Sequence, residues 1–474
     1  MAKKRQRYTP WEINEFSGGK IDKADDNLIP DNAAKDCQNF IATRIGSLSK
    51  RKGQVRLSLT NLSGIIQGIH AFYYGTSRRL VVVANGSAYS WDGTAFSAAI
   101  KTGLSTFAVV LFETCVNYMV AMNGVDVPWK WDGTNVTVLA NAPAKGKFPI
   151  LHKEKLFCVD DDNPSTLRWS GSFAPEEWPA VNYWDIRKGD GDKITSLIQF
   201  LGELFIFKSR SLHTLKGTSL DDFQLDELDS RVGCVGPRAL ARYGLQLYFV
   251  SDDGLYTTNG LKTVNLSEAK IPDTWAGINK EHLHKAVVGV WNDIIRFELP
   301  EGSSTYNNYS IWFDPATQAF WPMRGINASC YELFNDGTKI ILYSGNSNAG
   351  YVDKQDTGTN DFGSVIVSFW KGKFYDAGMP EVQKKGRKAY VQDSPNTENV
   401  TTLSLNLDYG TSYNSLSLNR SEGYIREYLF DLGANRWRYL SPMVAHESAG
   451  ACEVRGITIP YKPKAMMGMR GDSV

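Results

Sequence analysis

Residues 80–94 read LVVVANGSAYSWDGT. The stretch begins with four consecutive apolar residues, Leu80 to Val83, and a strand of this kind has to be covered on both faces. Asn85-Gly86 follows, and this dipeptide supplies the two positive-φ residues that a two-residue hairpin turn requires. The stretch therefore predicts a β-hairpin with one strand buried between neighbouring layers.

Similar strand-turn-strand units recur through the middle of the chain. Their apolar runs begin near Leu80, Tyr118, Leu156, Leu204, Leu247, Ile294 and Ile340. The intervals are 38, 38, 48, 43, 47 and 46 residues, close to the roughly 40 to 50 residues of one four-stranded propeller blade. The repeat predicts a six- or seven-bladed β-propeller over residues 59–360.

Asn-Gly and Asp-Gly pairs lie between the predicted strands, as two-residue hairpins require. They are Asn85-Gly86, Asp92-Gly93, Asn123-Gly124, Asp132-Gly133, Asp253-Gly254, Asn259-Gly260 and Asp336-Gly337. Two successive units have nearly the same sequence: SWDGT at 90–94 is followed 40 residues later by KWDGT at 130–134.

Composition agrees with an all-β fold. The 474 residues include 42 Gly, 22 Tyr, 22 Phe and 13 Trp, which favours many short strands joined by turns. The 52 basic and 51 acidic residues leave a net charge of +1. The net charge therefore gives no general electrostatic attraction to nucleic acid or membrane. Any DNA contact is expected to be local or weak.

The cysteines and the first residues of the sequence indicate the redox state of the thiols and the compartment in which the chain assembles. Cys37, Cys115, Cys158, Cys234, Cys330 and Cys452 have no CxxC pair or regular spacing, and this favours reduced core thiols over a disulfide framework or a metal site. The sequence begins Met-Ala-Lys-Lys-Arg, has no secretory signal, and contains no apolar stretch of membrane-spanning length. We expect no stable membrane insertion. We expect the protein to assemble in a cytoplasm.

The two flanks of the repeat are predicted to form a second unit. Residues 31–40 indicate a short helix with Asp31 as N-cap, and residues 273–284 indicate another with Trp275 and Ile278 facing inward. From about residue 361 longer strands are expected at 364–369, 402–407 and 454–461, without the period of the repeat. We predict that residues 1–58 and 361–474 pack together as a β-sandwich-like platform.

The sequence offers little catalytic chemistry. It contains no Gly-rich phosphate loop, no HExxH and no GxSxG motif. Asp160-Asp161-Asp162 and Asp190-Gly191-Asp192 suit Ca²⁺ by composition, but such runs are more often solvated turns. A glycan hydrolase would need two facing carboxylates, which a sequence cannot establish. We therefore expect a protein that is not an enzyme and has no cofactor or metal.

Two basic runs are candidates for docking to a partner. They provide Lys50, Arg51 and Lys52, and then Lys384, Lys385, Arg387 and Lys388; a third run lies at residues 3–7. The alternatives are exposed solubilising loops, or contact with an acidic partner ring or with DNA phosphate.

Several stretches together resemble a known family. They are Gly18-Gly19, residues 28–33, Gln38-Asn39 and residues 46–53 near the N-terminus, then residues 204–208, 215–217, 232–234 and 247–256. Over residues 15 to 350 the chain resembles the podovirus tail nozzle family, also called tail tubular protein B or packaged-DNA stabilisation protein. These motifs are structural, so they point to architecture more firmly than to mechanism.

The resemblance implies a structural tail protein of the virion, assembled in the host cytoplasm. It implies a homo-oligomeric ring, six-fold in the family, that docks below the portal-adaptor (head-to-tail connector) proteins and contacts tail fibre or spike proteins. It further implies that double-stranded DNA is retained, and later passes through the channel with weak, non-specific contact. This chain is too short for the long distal tip of larger members, which leaves closure of the exit to its loops or to another protein.

A second function remains open at this point. Trp169, Trp178 and Trp184 suit a carbohydrate-binding, receptor-recognition propeller of a virion, because aromatic rings stack on sugars. Tryptophans in Gly-rich β proteins are more often part of the core.

Overall fold

A computed structural model describes residues 8–394, 401–430 and 436–464. Within these residues the chain is almost entirely β-structure, with one five-residue α-helix, Pro272–Ala276, and two 3₁₀ helices, Asp26–Leu28 and Lys280–Lys285.

The middle of the described chain forms seven small antiparallel sheets in sequence order. The strands of the first three are Ile66–Tyr74, Ser77–Ala84 and Ser87–Trp91; Leu111–Cys115, Tyr118–Met122, Trp129–Trp131 and Val136–Val138; and Gly146–His152, Lys155–Asp160, Asn163–Trp169 and Tyr183–Asp185. The strands of the fourth and fifth are Ile194–Phe200, Glu203–Lys208, Leu212–Lys216 and Gln224–Asp229; and Leu240–Tyr243, Gln246–Val250, Leu255–Thr258 and Thr263–Asn265. The strands of the sixth and seventh are Val287–Trp291, Ile294–Leu299, Tyr309–Asp314 and Ala319–Met323; and Ala328–Asn335, Ile340–Asn346, Val352–Lys354 and Val55–Arg56.

Each predicted apolar run lies on the second strand of one small sheet. Residues 80–83, for example, are completely buried, because side chains on both faces of this strand enter hydrophobic clusters with the sheets on either side. The strand-turn-strand repeat was therefore predicted at the correct positions.

The seventh small sheet is completed by a strand from the beginning of the chain. Val55–Arg56 pairs with Val352–Lys354, with Arg56 opposite Asp353. The seventh sheet also shares a hydrophobic cluster with the first, where Cys330 and Tyr343 join Ile66 and Leu80. The first and last small sheets are thus neighbours. The predicted domain boundary at residue 58 lies just after this strand.

The turns are more varied than predicted. Asn85 and Gly86 have φ values of 46° and 71° and form the expected two-residue turn. In the Asp-Gly-Thr sequences that begin at Asp92, Asp132 and Asp336, the Asp Oδ1 instead accepts the backbone N–H groups two and three residues later. These side chains stabilise longer loops, so the prediction of two-residue turns was wrong there.

Two larger sheets are built from both ends of the chain. In the described residues the nine-stranded sheet comprises Thr9–Ile13, Phe40–Ala42, Leu48–Lys50, Lys384–Gly386, Lys388–Asp393, Ser417–Glu422, Ile425–Leu429, Arg436–Trp437 and Glu453–Pro463. The five-stranded sheet comprises Ala34–Gln38, Ser368–Gly372, Thr401–Leu407, Asn414–Ser415 and Leu440–His446. One hydrophobic core joins both sheets to the edge of the sixth small sheet at Trp321 and Met323. We call these two sheets the two-sheet body.

The helix predicted at residues 31–40 was wrong. Ala34–Gln38 is a strand that pairs with residues 369–372, and its register shifts between Ala34 and Asp36. This bulge brings Ala34 and Cys37 to the buried side, so that a strand has the three-residue apolar spacing of a helix.

Other flank predictions need smaller corrections. Residues 273–284 form the short α-helix and a 3₁₀ helix in place of one continuous helix, although Trp275 and Ile278 are buried as expected. The strand expected at 364–369 begins only at Ser368, whereas the strands expected at 402–407 and 454–461 lie within Thr401–Leu407 and Glu453–Pro463.

The six cysteines are buried, as predicted for core thiols. Burial raises the pKa of Cys115 to about 12 and that of Cys234 to about 11. In the described residues, no helix combines the length and the apolar character that crossing a membrane would need.

Candidate functional site

The first strands of five small sheets line one inner space. Strands of neighbouring sheets contact one another there, and residues of the first, second, fifth, sixth and seventh sheets line the same inner cavity. A second cavity lies where these first strands begin. We call the two spaces the inner cavity and the mouth cavity.

Arg238 lies between the two cavities, because it lines both. Its Nη1 donates to the carbonyl oxygen of Ser329 at 2.9 Å, and its Nη2 donates to the carbonyl oxygens of Val110, at 2.8 Å, and Gln67. These carbonyl groups belong to the starts of the seventh, second and first small sheets. The side chain thus connects three sheets, and burial lowers the pKa of its guanidinium.

The inner cavity contains buried titratable groups. Burial, helped by the nearby charge of Glu113, raises the pKa of Glu332 to about 7. Burial likewise raises the pKa of Glu113 to about 7. Glu332 Oε1 accepts the backbone N–H of Ala71 at 3.1 Å. Burial lowers the pKa of His70 to about 4, and its Nε2 lies 2.8 Å from the Thr114 hydroxyl. Near pH 7 His70 is therefore neutral and the two glutamates are partly protonated, while Arg238 adds a positive charge to the lining.

The mouth cavity has a volume of about 190 Å³ and mostly apolar walls. Ile65, Phe107 and Val109 form part of its wall and are exposed at its rim. Polar groups enter the lining through Arg238 and Asn307.

The basic run at 384–388 does not act as one exposed patch. Lys384 is buried; its Nζ donates to the carbonyl oxygens of Met379 and Arg438 and lies 5.1 Å from the centre of the Trp437 ring. Lys388 binds Glu427 at 2.8 Å, whereas Lys385 and Arg387 are exposed.

The run at 50–52 is divided in the same way. Lys50 is buried and donates to the carbonyl oxygen of Ser448 at 3.0 Å. Arg51 is buried in an ion pair with Asp361, and also donates to Asn39 Oδ1 at 3.0 Å and to the carbonyl oxygen of Arg324 at 2.6 Å. Lys52 is exposed. Docking by these runs stays a prediction, for which Lys52, Lys385 and Arg387 are the accessible residues. The run at 3–7 lies outside the described residues.

The carboxylates of the acidic loops bind lysine side chains and backbone N–H groups of the same chain. Asp190 binds the buried Nζ of Lys208 with both oxygens at 2.7 Å, and Asp192 accepts the backbone N–H groups of Ser209 and Arg210. Asp162 binds Lys145 at 2.6 Å. Within the described ranges no group of three or more His, Cys, Asp or Glu side chains could hold a metal ion.

The three tryptophans considered for sugar stacking do not form an exposed surface. Trp169 and Trp178 are buried, and the indole Nε1 of Trp178 donates to the carbonyl oxygen of Pro175 at 2.8 Å. Trp184 is half-buried and packs against the same cluster as Trp169.

Arg238 and Asn307 were not predicted, because neither belongs to a motif. The one available signal was that Arg238 directly precedes two apolar residues in the Gly-Pro-Arg-Ala-Leu stretch at 236–240.

No protein-family model matches the chain, and no curated protein matches its sequence. Solved structures resemble its fold. The WD40 domain of Pan2 from Neurospora crassa is 8% identical with a TM-score of 0.42, covering 65% of this chain and 97% of that one. BamB from Moraxella catarrhalis is 12% identical with a TM-score of 0.41, covering 73% and 96%. The computationally designed Ika8 protein is 13% identical with a TM-score of 0.41, covering 64% and 99%. The chain has an all-β fold of many small sheets, and its structural neighbours are propeller-like.

Proposed function

We propose that the chain is a structural, non-enzymatic component of a short-tailed bacteriophage tail, of the nozzle type. In this proposal the seven small sheets are the blades of one closed propeller, and Val55–Arg56 supplies the outer strand of the last blade. The two-sheet body is the platform. Copies of the chain form a ring below the portal-adaptor proteins, retain the packaged DNA and conduct it during ejection.

The observation that carries the proposal is the path of the N-terminal segment. Thr9–Ile13 and Leu48–Lys50 both pair with Glu453–Pro463 in the two-sheet body, and the chain then reaches Val55–Arg56 in the seventh small sheet. Residues 46–53, which carry part of the family resemblance, thus join the two units. This connection between the small sheets and the two-sheet body supports the proposed arrangement of a propeller on a platform.

The charge of the chain supports passage of DNA without tight binding. A conduit with many unpaired lysines would release counterions from the duplex and hold it. The net charge is +1, and many of the lysines and arginines are engaged with carboxylates inside the chain. We expect the isolated chain to bind duplex DNA no better than the usual non-specific range of about 10⁻⁴ to 10⁻⁶ M.

Docking is tested by exchanging the exposed basic residues of the platform. The triple variant Lys52→Ser, Lys385→Ser, Arg387→Ser should attach more weakly to tail-less heads. The loss should be largest at low salt and shrink as the salt concentration rises, because added ions screen exposed charges. The matched control is Arg231→Ser, Lys262→Ser, Lys339→Ser, three exposed basic residues on the small sheets. Equal attachment of both triple variants at low salt would assign the platform residues to solvated loops.

A further inference from the structure

The mouth cavity combines a half-buried cation with apolar walls. Arg238 forms part of its lining, and Ile65, Phe107 and Val109 provide much of the apolar surface. Lys285 and His284 also line the cavity, and no aspartate or glutamate does. The cavity therefore offers a positive, poorly hydrated environment.

The charge of Arg238 is not neutralised by a carboxylate. Three of its five N–H groups donate to carbonyl oxygens. Among the residues that the structure describes, no Asp or Glu oxygen lies within 4.0 Å of its guanidinium nitrogens, and the two remaining N–H groups have no hydrogen-bond acceptor. Arg238 is half-buried, and a cation that is partly removed from water gains by pairing with an anion, so an anion in this cavity would be stabilised.

Asn307 adds an unused acceptor to the same cavity. Its side chain is only 1% exposed, and its Nδ2 donates to the carbonyl oxygens of Lys285, at 2.9 Å, and Ala328, at 2.8 Å. These two acceptors fix the orientation of the amide. The Oδ1 atom is buried and accepts no hydrogen bond, which is unusual for a buried polar atom. A ligand with an N–H group would satisfy it.

The ligand must carry an anionic group, an N–H donor close to it and an apolar part that packs on the walls. A polypeptide C-terminus carries a carboxylate, a backbone N–H close to it, and a side chain that can be apolar. The volume of about 190 Å³ is below the roughly 300 to 1,000 Å³ of pockets for drug-sized ligands, so it suits a single chain end. Phe107 is 90% exposed at the rim, where the preceding residues of such a chain would cover it.

We propose that the mouth cavity binds the C-terminal carboxylate of a partner polypeptide whose last residue is apolar. Arg238 binds the carboxylate, Asn307 Oδ1 accepts a backbone N–H, and Phe107 packs on the residues before the chain end. This site lies on the small sheets and is independent of the proposed role in a phage tail.

Calorimetric titration of the full chain with synthetic peptides tests the proposal. The probes are acetylated tetrapeptides Gly-Ser-Gly-X with X as Leu, Val or Phe, each as the free acid and as the amide, together with N-acetyl-leucine. We expect at least one free acid to bind, and its amide to bind at least tenfold more weakly, because a hydrogen bond to a charged group is lost.

Two variants connect the binding to the named residues. Arg238→Gln should abolish the difference between acid and amide. Because Arg238 also connects three sheets, Phe107→Ser provides a second variant that leaves those contacts intact. It should weaken peptide binding severalfold, whereas Leu245→Ser, at another exposed apolar residue outside the cavity, should not.

Three outcomes would overturn the proposal. One is that no free-acid peptide binds with a Kd below about 1 mM, and another is that acid and amide bind equally. The third is that N-acetyl-leucine binds as tightly as the peptide with no effect of Phe107→Ser, since the ligand would then be a small acid and not a chain end.

Discussion

At the scale of single residues, basic side chains that are neighbours in the sequence have different roles. Arg51 and Lys52 belong to one run, but Arg51 connects three segments through Asn39, the carbonyl oxygen of Arg324 and Asp361. Lys52 is exposed. Charge runs in a sequence do not distinguish these cases, because burial depends on segments hundreds of residues away.

Replacing Arg51 should therefore destabilise the fold. Arg51→Met leaves Asp361 without its cation, and removing one partner of a buried ion pair typically costs about 3 to 5 kcal/mol. Lys52→Met should change the free energy of unfolding by no more than about 0.5 kcal/mol. Urea unfolding followed by tryptophan fluorescence compares the two variants, and equal stabilities would contradict a structural role for Arg51.

Glu332 should make stability depend on pH. Burial raises its pKa from 4.5 to about 7, so between these values the unfolded chain loses a proton that the folded chain keeps. The contribution of Glu332 to the free energy of unfolding is therefore fully present below pH 4.5 and is lost as the pH rises to about 7.

Glu332→Gln removes this pH dependence and retains an acceptor for the Ala71 N–H. The variant should equal the wild type near pH 4.5 and exceed its stability by about 1 to 3 kcal/mol at pH 7.5. Unfolding curves at both pH values measure the difference, with Glu268→Gln, an exposed glutamate, as control. A Glu332→Gln variant that is less stable than the wild type at pH 7.5 would contradict the raised pKa.

At the scale of the elements, turn chemistry sets where strands end. Gly86 has a φ of +71°, and a Cβ atom there would lie 2.3 Å from the carbonyl oxygen of Leu104. Gly75 is also in a positive-φ turn of the first small sheet, at +55°, but nothing lies within 4 Å of a Cβ atom.

Alanine substitution at these two glycines separates backbone strain from steric overlap. Gly75→Ala should cost about 1 to 2 kcal/mol for the left-handed conformation. Gly86→Ala should cost about 1 to 3 kcal/mol more, because the Leu104 segment must move. Thermal unfolding of both variants gives the comparison, and a Gly86→Ala variant as stable as Gly75→Ala would show that this turn is not tightly packed.

The elements also show what the sequence could and could not predict. The second strand of every small sheet was predictable, since strands covered on both faces are continuously apolar, as at residues 80–83. The strand Ala34–Gln38 was not, because its bulge imitates helical spacing. The cavities were not predictable either, since Arg238 and Asn307 meet only when the starts of separate sheets come together.

At the scale of the whole molecule, both chain ends contribute to one two-sheet body. Strands from residues 9–50 pair with strands from residues 368–463 in both sheets, and one core joins them. The chain leaves this body at residue 55 and returns to it after the seventh small sheet. In the proposed function this body is the platform of a ring, whose contacts between identical subunits are head-to-tail.

The most direct measurement compares phage particles assembled with and without this chain, by cryo-electron microscopy and by the amount of DNA they keep. The proposed function predicts a ring of copies, six if the chain belongs to the proposed family, directly below the portal-adaptor proteins. It also predicts that particles lacking the chain package a genome and then lose it. Stable, full heads in the absence of the chain, or complete tails without such a ring, would contradict the proposal.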